Sequence, residues 1–452
     1  MSEAAATSEP RMFDRRYWLP LSGVTIVMTV VAIEAMAVAT VMPTVARALN
    51  GVRDYSWGFT AYLLADVVGM VDAGRRTDRQ GPGPAFLGGL GLFAAGLFVA
   101  SAAPDIAVFL VGRVLQGLGG GSIIVALYVL VARTFPESMR PKVFALLSTA
   151  WVVPALVGPA LAGLVTDTLG WRWVFAGIAP LALGGAVLLL PVLRTLEPRE
   201  GAEHPTARPS DGLLLALALG LLQLALQVLD WRSAPLGVVG VALGARPLHR
   251  LLPPGTLRLA SGLPAVIATR GIITCAFFGA EAYLPLTLTR VHGGSARVVG
   301  IPLTLAALGW AAGSWLQGHG TAKRATLIRT GFGLVGAAVA ALVLVDVHGT
   351  SLWLAVPIWT VAGAGMGLVI TLVAVLVLEL SPEAEQGANS AALQISDITG
   401  SVIGIAAAGS VTTALGVHRL TTAAVIADIG LAAVAAAGML VAGRIAPRRM
   451  RP

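Results

Sequence analysis

Long apolar runs separated by short polar stretches make up most of the chain. A run of about 20 mostly apolar residues is long enough to cross a bilayer as a helix. Such runs stand at roughly 19–47, 57–73, 84–103, 105–132, 142–166, 173–194, 211–229, 234–252, 263–289, 297–317, 325–346, 351–379, 387–412 and 418–443. The ten-residue alternation of a membrane barrel does not appear. The pattern therefore predicts an all-α polytopic membrane protein with about 14 transmembrane helices. The eighth run is the weakest, because Arg246, His249 and Arg250 intrude. Residues 196–210 contain Pro, Glu and Arg with no apolar periodicity, which reads as a flexible polar linker.

Composition agrees. Hydrophobic residues are 56% of the chain and charged residues 12%, with mean hydropathy +0.82, against about 25% charged in soluble domains. The 54 glycines suit close packing of membrane helices. The single cysteine, Cys275, lies in an apolar run and reads as packing, with no disulfide framework or metal-ligand spacing.

Charge orders the spans. A net charge of +8 would point to nucleic acid in a soluble protein. Here its source is the excess of basic residues expected on the cytoplasmic side of a membrane protein, so no nucleic-acid partner is expected. With the N-terminus inside, about 22 of the 31 basic residues fall in cytoplasmic segments. If the run 212–229 crossed without a partner, every later loop would flip and this bias would collapse. A second crossing near 234–252 follows, and both termini are expected on the cytoplasmic side of the cell membrane. Arg11, Arg15 and Arg16 precede the first span with no small-residue cleavage site after a short apolar core, so no removable signal peptide is expected. The expected organisation is a cytoplasmic segment at 1–18, a six-helix bundle at 19–195, a linker with an inserted helix pair at 196–260, a second six-helix bundle at 261–443 and a tail at 444–452.

Several motifs resemble those of a known transporter family. Gly74-Arg-Arg-Thr-Asp78-Arg79-Gln-Gly81 is similar to the loop signature GxxxDRxG of the major facilitator superfamily, with Pro82 and Gly83 where two basic residues usually follow. Arg113-Val-Leu-Gln116-Gly117-Leu-Gly119 resembles its RxxQGxG motif. Pro154-Ala-Leu-Val-Gly158-Pro159-Ala-Leu-Ala-Gly163 resembles the GxxxGPxxGG motif of its exporters, with Pro154 and Ala162 in place of two glycines. Glu34 to Pro43, Ser56-Trp57-Gly-Phe-Thr60-Ala-Tyr62 and Gly170-Trp171-Arg172-Trp173-Val-Phe175 resemble segments of the fourteen-span drug:proton antiporters. The first-span acid of that family is usually aspartate, and an asparagine common in the third segment is missing. Glu281 with Pro285 repeats the Glu34–Pro43 theme, and Gly309 to Gly320 looks like a decayed loop signature; repeated halves mark such transporters. The resemblance implies the major facilitator fold, two six-helix bundles plus an inserted helix pair. It also implies a latch through Asp78 and Arg79 on the cytoplasmic side and a bend in the fifth span at Pro154 and Pro159.

Glu34 sits near the middle of the first run, where a carboxylate costs about 2.5–3.5 kcal/mol to insert. At 1.5 Å per residue, Glu34 and Asp66 fall within about 3 Å of their span centres; Arg113 and Glu281 lie roughly 7–9 Å toward the outside. In the superfamily architecture Glu34, Arg113 and Glu281 face the central cavity. A nearby cation favours an ionised acid and burial disfavours it, so Glu34, Asp66, Arg113 and Glu281 are the expected proton-coupling set. Asp397 and Asp66 are expected near the bundle interface, and Asp428 in a structural role. Trp151, Phe277, Phe278, Tyr283, Trp310, Trp359 and Met366 are candidate cavity walls, their aromatic and thioether groups suiting lipophilic or cationic compounds.

These readings point to a proton-coupled exporter, driven by the proton gradient, with a small-molecule substrate, protons and the lipid bilayer as its partners and no further cofactor, acting as a monomer. A facilitator importing a small polar nutrient is the alternative within transport. A membrane enzyme on lipid-linked substrates is the alternative outside it, but the six histidines are scattered without ligand or catalytic spacing, so no catalytic residues and no metal site are expected. No Walker sequence is present to bring in ATP.

Overall fold

A bilayer offers no water to bond backbone groups, so a spanning segment must satisfy them internally, which favours helices throughout. The computed structural model describes residues 15–136, 139–194, 209–228, 231–319, 322–347, 349–382 and 385–445, and its regular structure is all helical. The helices are α1 (Arg15–Ala48), α2 (Trp57–Gln80), α3 (Pro82–Ala102), α4 (Ile106–Thr134), α5 (Arg140–Thr168), α6 (Trp171–Val187), α7 (Leu190–Leu193), α8 (Pro209–Val228), α9 (Ala234–Leu251), α10 (Leu263–Arg290), α11 (Ala296–His319), α12 (Arg324–Asp346), α13 (Ala355–Leu380), α14 (Gln386–Leu415) and α15 (Leu420–Val441). The expected N-terminal segment, the 196–210 linker and the tail lie almost entirely outside the described residues.

Ten of these helices are long and apolar enough to cross a membrane: α1, α3, α4, α8 and α10 to α15. Shorter apolar stretches occupy α5 and α6, at Val153–Thr168 and Trp171–Val187. Charge explains two others. α2 carries Asp66, Asp72, Arg75, Arg76, Asp78 and Arg79, and α9 ends in Arg246, His249 and Arg250. The expected sixth span is broken: α6 stops at Val187 and the short α7 restarts with Pro191 in its first turn, because proline has no N–H to continue the ladder.

The helices pack in a repeating order. α1 rests on α5 and α6, α2 on α4, and α3 on α4 and α6; in the same order α10 rests on α14 and α15, α11 on α13, and α12 on α13 and α15. The first set meets the second where α5 touches α11, α2 touches α14 and α1 touches α10. α8 lies against both α2 and α14, and α9 leans on α8. Gly309 and Gly313, part of the decayed repeat, meet the α13 backbone at Thr360 and Ala364 with no room for a side chain. Cys275 is a free thiol whose backbone is met by Gly404 of α14, in keeping with a packing role.

Exposed tryptophans mark two levels. Trp18 and Trp315 lie near the end that carries the α2–α3 turn, and Trp173 and Trp353 near the end that carries the α1–α2 turn. Amphipathic rings of this kind collect where a bilayer meets water.

Candidate functional site

α1, α2 and α4 bring charge together in the interior of the first helix set. Glu34 on α1 and Arg113 on α4 form an ion pair between Nη1 and Oε1, and they are 0% and 2% exposed. The same guanidinium donates from Nε to the Gly58 carbonyl at 2.8 Å, and from Nη1 to Gln116 Oε1. Gln116 donates in turn to the Gly96 carbonyl of α3 at 3.1 Å. The Arg113 guanidinium carbon stands 4.7 Å from the centre of the Tyr62 ring, a cation–π contact. Asp66, one turn further along α2, is buried beside Gly120 and Gly121.

This network leaves two oxygens over. Glu34 Oε2 and Asp66 Oδ1 are buried without hydrogen-bond partners. An unpartnered buried carboxylate oxygen is costly unless it gains a proton or a ligand. Both acids are therefore equipped to take up a proton, and only Glu34 has a cation in direct contact.

Glycines on α4 make this assembly possible. A β-carbon at Gly117 would run into the Tyr62 carbonyl and one at Gly121 into the Asp66 carbonyl, so α2 reaches α4 only where side chains are absent. The motif residues around Arg113 thus have two jobs. Arg113 and Gln116 supply the polar network, and the glycines set the distance at which Asp66 and Tyr62 meet it.

The other expected site residues fall elsewhere. Glu34 and Arg113 do not line an open cavity; helix packing seals them inside. Glu281 does not join them. It lies on α10, partly exposed, close to the Trp359 indole N–H without closing a hydrogen bond. Phe277 stacks on Trp359 with ring centres 4.8 Å apart and contacts Phe278 and Trp310 edge-on. Trp359 and Met366 are fully buried, so they form core rather than cavity wall. Trp151, Phe278 and Trp310 retain exposed surface; Tyr283 is buried at the contact between helix sets.

The loop signature is open in this conformation. Gly81 takes φ +80° to join α2 to α3, a conformation glycine adopts without strain. Gly74 has open space around it. Asp78 and Arg79 form no ion pair among the described residues, so the expected latch is not engaged. The physical reason is that the helix sets are joined at the opposite end. There, Asp167 at the end of α5 accepts from the backbone N–H groups of Ala296 and Arg297 at 3.2 and 3.0 Å. Gly163 packs on the Ala296 carbonyl and Gly300 on that of Pro159. Gly158 faces Met36 of α1, and Pro154 and Pro159 lie inside the α5 helix. Tyr55, in the α1–α2 turn, donates to the Ala282 carbonyl at 2.8 Å and packs against Tyr283.

Two groups were missed by reading the sequence. Arg270 on α10 donates to Asp397 Oδ2 on α14 at 3.0 and 2.6 Å, both side chains partly exposed. It stands eight residues into a span among apolar neighbours, which was the available signal. Gln223 and Gln227 fasten α8 to the α1–α2 turn through Ser56, Trp57 and the Arg53 carbonyl. Amides one turn apart in an otherwise apolar helix were the signal there. If the Arg270–Asp397 pair matters as a pair, Arg270→Asp and Asp397→Arg alone should each cut transport at least about tenfold, and together recover most of it, since contacting residues couple by about 0.5–3 kcal/mol. Transport assays on the two single variants and the double variant check this; a double variant no better than the worse single one is the contrary result.

The comparisons with known proteins agree with this architecture. The chain is 33% identical over 184 residues to an Acurin A biosynthesis cluster MFS-type transporter of Aspergillus aculeatus, covering 41% of this chain and 33% of that one. It is 26% identical over 396 residues to an uncharacterized MFS-type transporter of Mycobacterium tuberculosis, covering 82% and 56%. Over 304 residues it is 24% identical to multidrug resistance protein 3 of Bacillus subtilis, covering 64% and 58%. The chain thus spans about a third to just over half of these relatives' lengths. In fold it is similar to a POT family transporter crystallised with 5-aminolevulinic acid, with TM-score 0.69 at 13% identity over 94% of this chain and 96% of that one. A family model described as Major Facilitator Superfamily matches residues 24–405, and on that match this multi-pass membrane protein belongs to the Major Facilitator Superfamily of transporters.

Proposed function

We propose that the protein is a proton-coupled antiporter that exports lipophilic or cationic small molecules from the cytoplasm by alternating access. The observation that carries this reading is the sealed Glu34–Arg113 pair with a free carboxylate oxygen, beside a second buried acid, Asp66. Protonation of Glu34 weakens its hold on Arg113, which is also bonded to α2 through Gly58, so proton uptake loosens α1 from α2 and α4. That is a direct route from one proton to helix movement.

The wider architecture is read as fourteen spans in two six-helix bundles, α1–α6 and α10–α15, with α8 and α9 inserted. Both termini lie in the cytoplasm. The end joined by Asp167, Gly163 and Gly300 is then external, and the conformation described above faces inward. Glu281, Phe278 and Trp310 offer a carboxylate beside aromatic surface, a combination that suits a lipophilic cation. The name of the Bacillus subtilis relative supports drug efflux as the cargo class.

Inverted membrane vesicles test the reading. An imposed gradient, acid inside, should drive accumulation of a lipophilic cationic dye, and a protonophore should abolish it. Glu34→Gln should lower the gradient-driven rate at least about tenfold, the equivalent of 1.4 kcal/mol. The proposal is wrong if Glu34→Gln and Asp66→Asn both leave gradient-driven uptake intact. Dye that leaves the vesicles under the same gradient would point to an importer.

A further inference from the structure

Asp346 and Asp428 are buried acids that the Glu34 network does not use. Asp346 is the last residue of α12 and Asp428 lies about two turns into α15. They are 2% and 6% exposed, and both face the same small cavity. Two buried carboxylates at one cavity repel each other, and a shared proton removes one of the charges. Neither forms an ion pair with a basic side chain among the described residues. Asp346 Oδ2 is also left without a hydrogen-bond partner. Both residues line a cavity of about 10 Å³, walled also by Tyr283, Thr287 and Thr412, which is room for about one water.

Among the described residues, the surroundings hold no competing cation. From α10 the cavity receives Tyr283 and Thr287, and from α14 Thr412. His292, in the α10–α11 turn, bonds the Val345 carbonyl at 2.5 Å rather than either acid. His418 and Arg419, before α15, and Arg290 are exposed. His348 lies outside the described residues.

We propose that Asp346 and Asp428 form a second proton-binding site, holding one proton between two carboxyls at the end of the protein where the helix sets are joined. Tyr283 links the site to that joint, because its ring also packs against Tyr55 with centres 5.2 Å apart. The pair stands apart from Glu34, on helices of the second set, so it does not depend on Glu34 carrying the transported proton.

Infrared difference spectra of the full chain reconstituted in lipid, recorded between low and high pH, test the site. Wild type should show a protonated-carboxyl band that Glu34→Gln retains and that Asp346→Asn and Asp428→Asn each remove. Asparagine keeps the size of aspartate and can donate to the remaining carboxylate, so both variants should fold. As a second measurement, a pH dye should count one proton fewer released per chain from the Asp346→Asn/Asp428→Asn double variant. Spectra and proton counts identical to wild type overturn the proposal. So does a band that disappears on adding sodium at constant pH, which assigns the pair to a metal cation.

Discussion

Replacing Arg113 with leucine is expected to destabilise the protein by about 3–5 kcal/mol, the usual cost of removing one partner of a buried ion pair. Glu34 is then left buried beside an apolar side chain, and Gln116 Oε1 and the Gly58 carbonyl lose their donor. Adding Glu34→Gln to the same chain should recover more than half of that loss, because the amide needs no counter-charge. It should not recover gradient-driven transport, because glutamine carries no exchangeable acid proton. Arg113→Lys should fall between wild type and leucine, since an ammonium cannot reproduce the planar spread of donors across three acceptors. Unfolding of the purified protein in detergent, followed in Arg113→Leu, Glu34→Gln, the double variant and Arg113→Lys, reads these differences. Strictly additive losses in the double variant would show that the two side chains do not act as a pair.

The second large effect is expected at the contact between the helix sets. A side chain at Gly300 or Gly163 meets a backbone carbonyl at 2.6 Å, that of Pro159 or Ala296, and a carbonyl cannot swing aside as a side-chain tip can. Overpacking of this kind costs about 1–3 kcal/mol per site, and each 1.4 kcal/mol is a tenfold change in population. Gly300→Leu should therefore reduce the conformation joined at this end roughly tenfold. The Gly163→Leu/Gly300→Leu pair should reduce it about a hundredfold and stall transport. Cysteines placed at Thr168 and Arg297, which keep the Asp167 carboxylate, in a Cys275→Ser background, report the distance across the joint: cross-linking should fall in that order. Gly91→Leu is the control, because nothing stands within 4 Å of its added carbon. Equal cross-linking in all variants would mean that the α5–α11 approach does not set the conformation.

Particular residues show how far the amino-acid pattern reaches. Depth matched Glu34 with Asp66, because helical rise converts position in a span into height; it set Arg113 at a different level, and only the structure shows that its side chain reaches Glu34. Depth says nothing about azimuth, so Glu281 was assigned to the same set although α10 turns it toward Trp359. Trp359 and Met366 were taken as walls for the same reason. Arg270 was overlooked beside the more visible loop charges, and its partner Asp397 lies 127 positions away. Asp428 was read as structural because its span lies outside the expected cavity; the acid that shares its small cavity, Asp346, stands on a different helix.

The chain's hydropathy, its sparse charge and its ordered motifs were enough to establish a polytopic helical transporter of the major facilitator type, since bilayer thickness dictates run length and buried charge is too costly to be accidental. Which charges meet was decided only by tertiary packing. Glycines on α4, α5, α11 and α14 bring backbones into contact, and those contacts fix which face each helix turns to its neighbour. That rotation places Arg113 against Glu34, Arg270 against Asp397 and Asp346 against Asp428, and joins the helix sets at one end while leaving the Asp78–Arg79 latch open. Hydrophobic pattern runs along a chain one residue at a time; these pairings are separated by 79 to 127 positions, and only the packed helices bring them together.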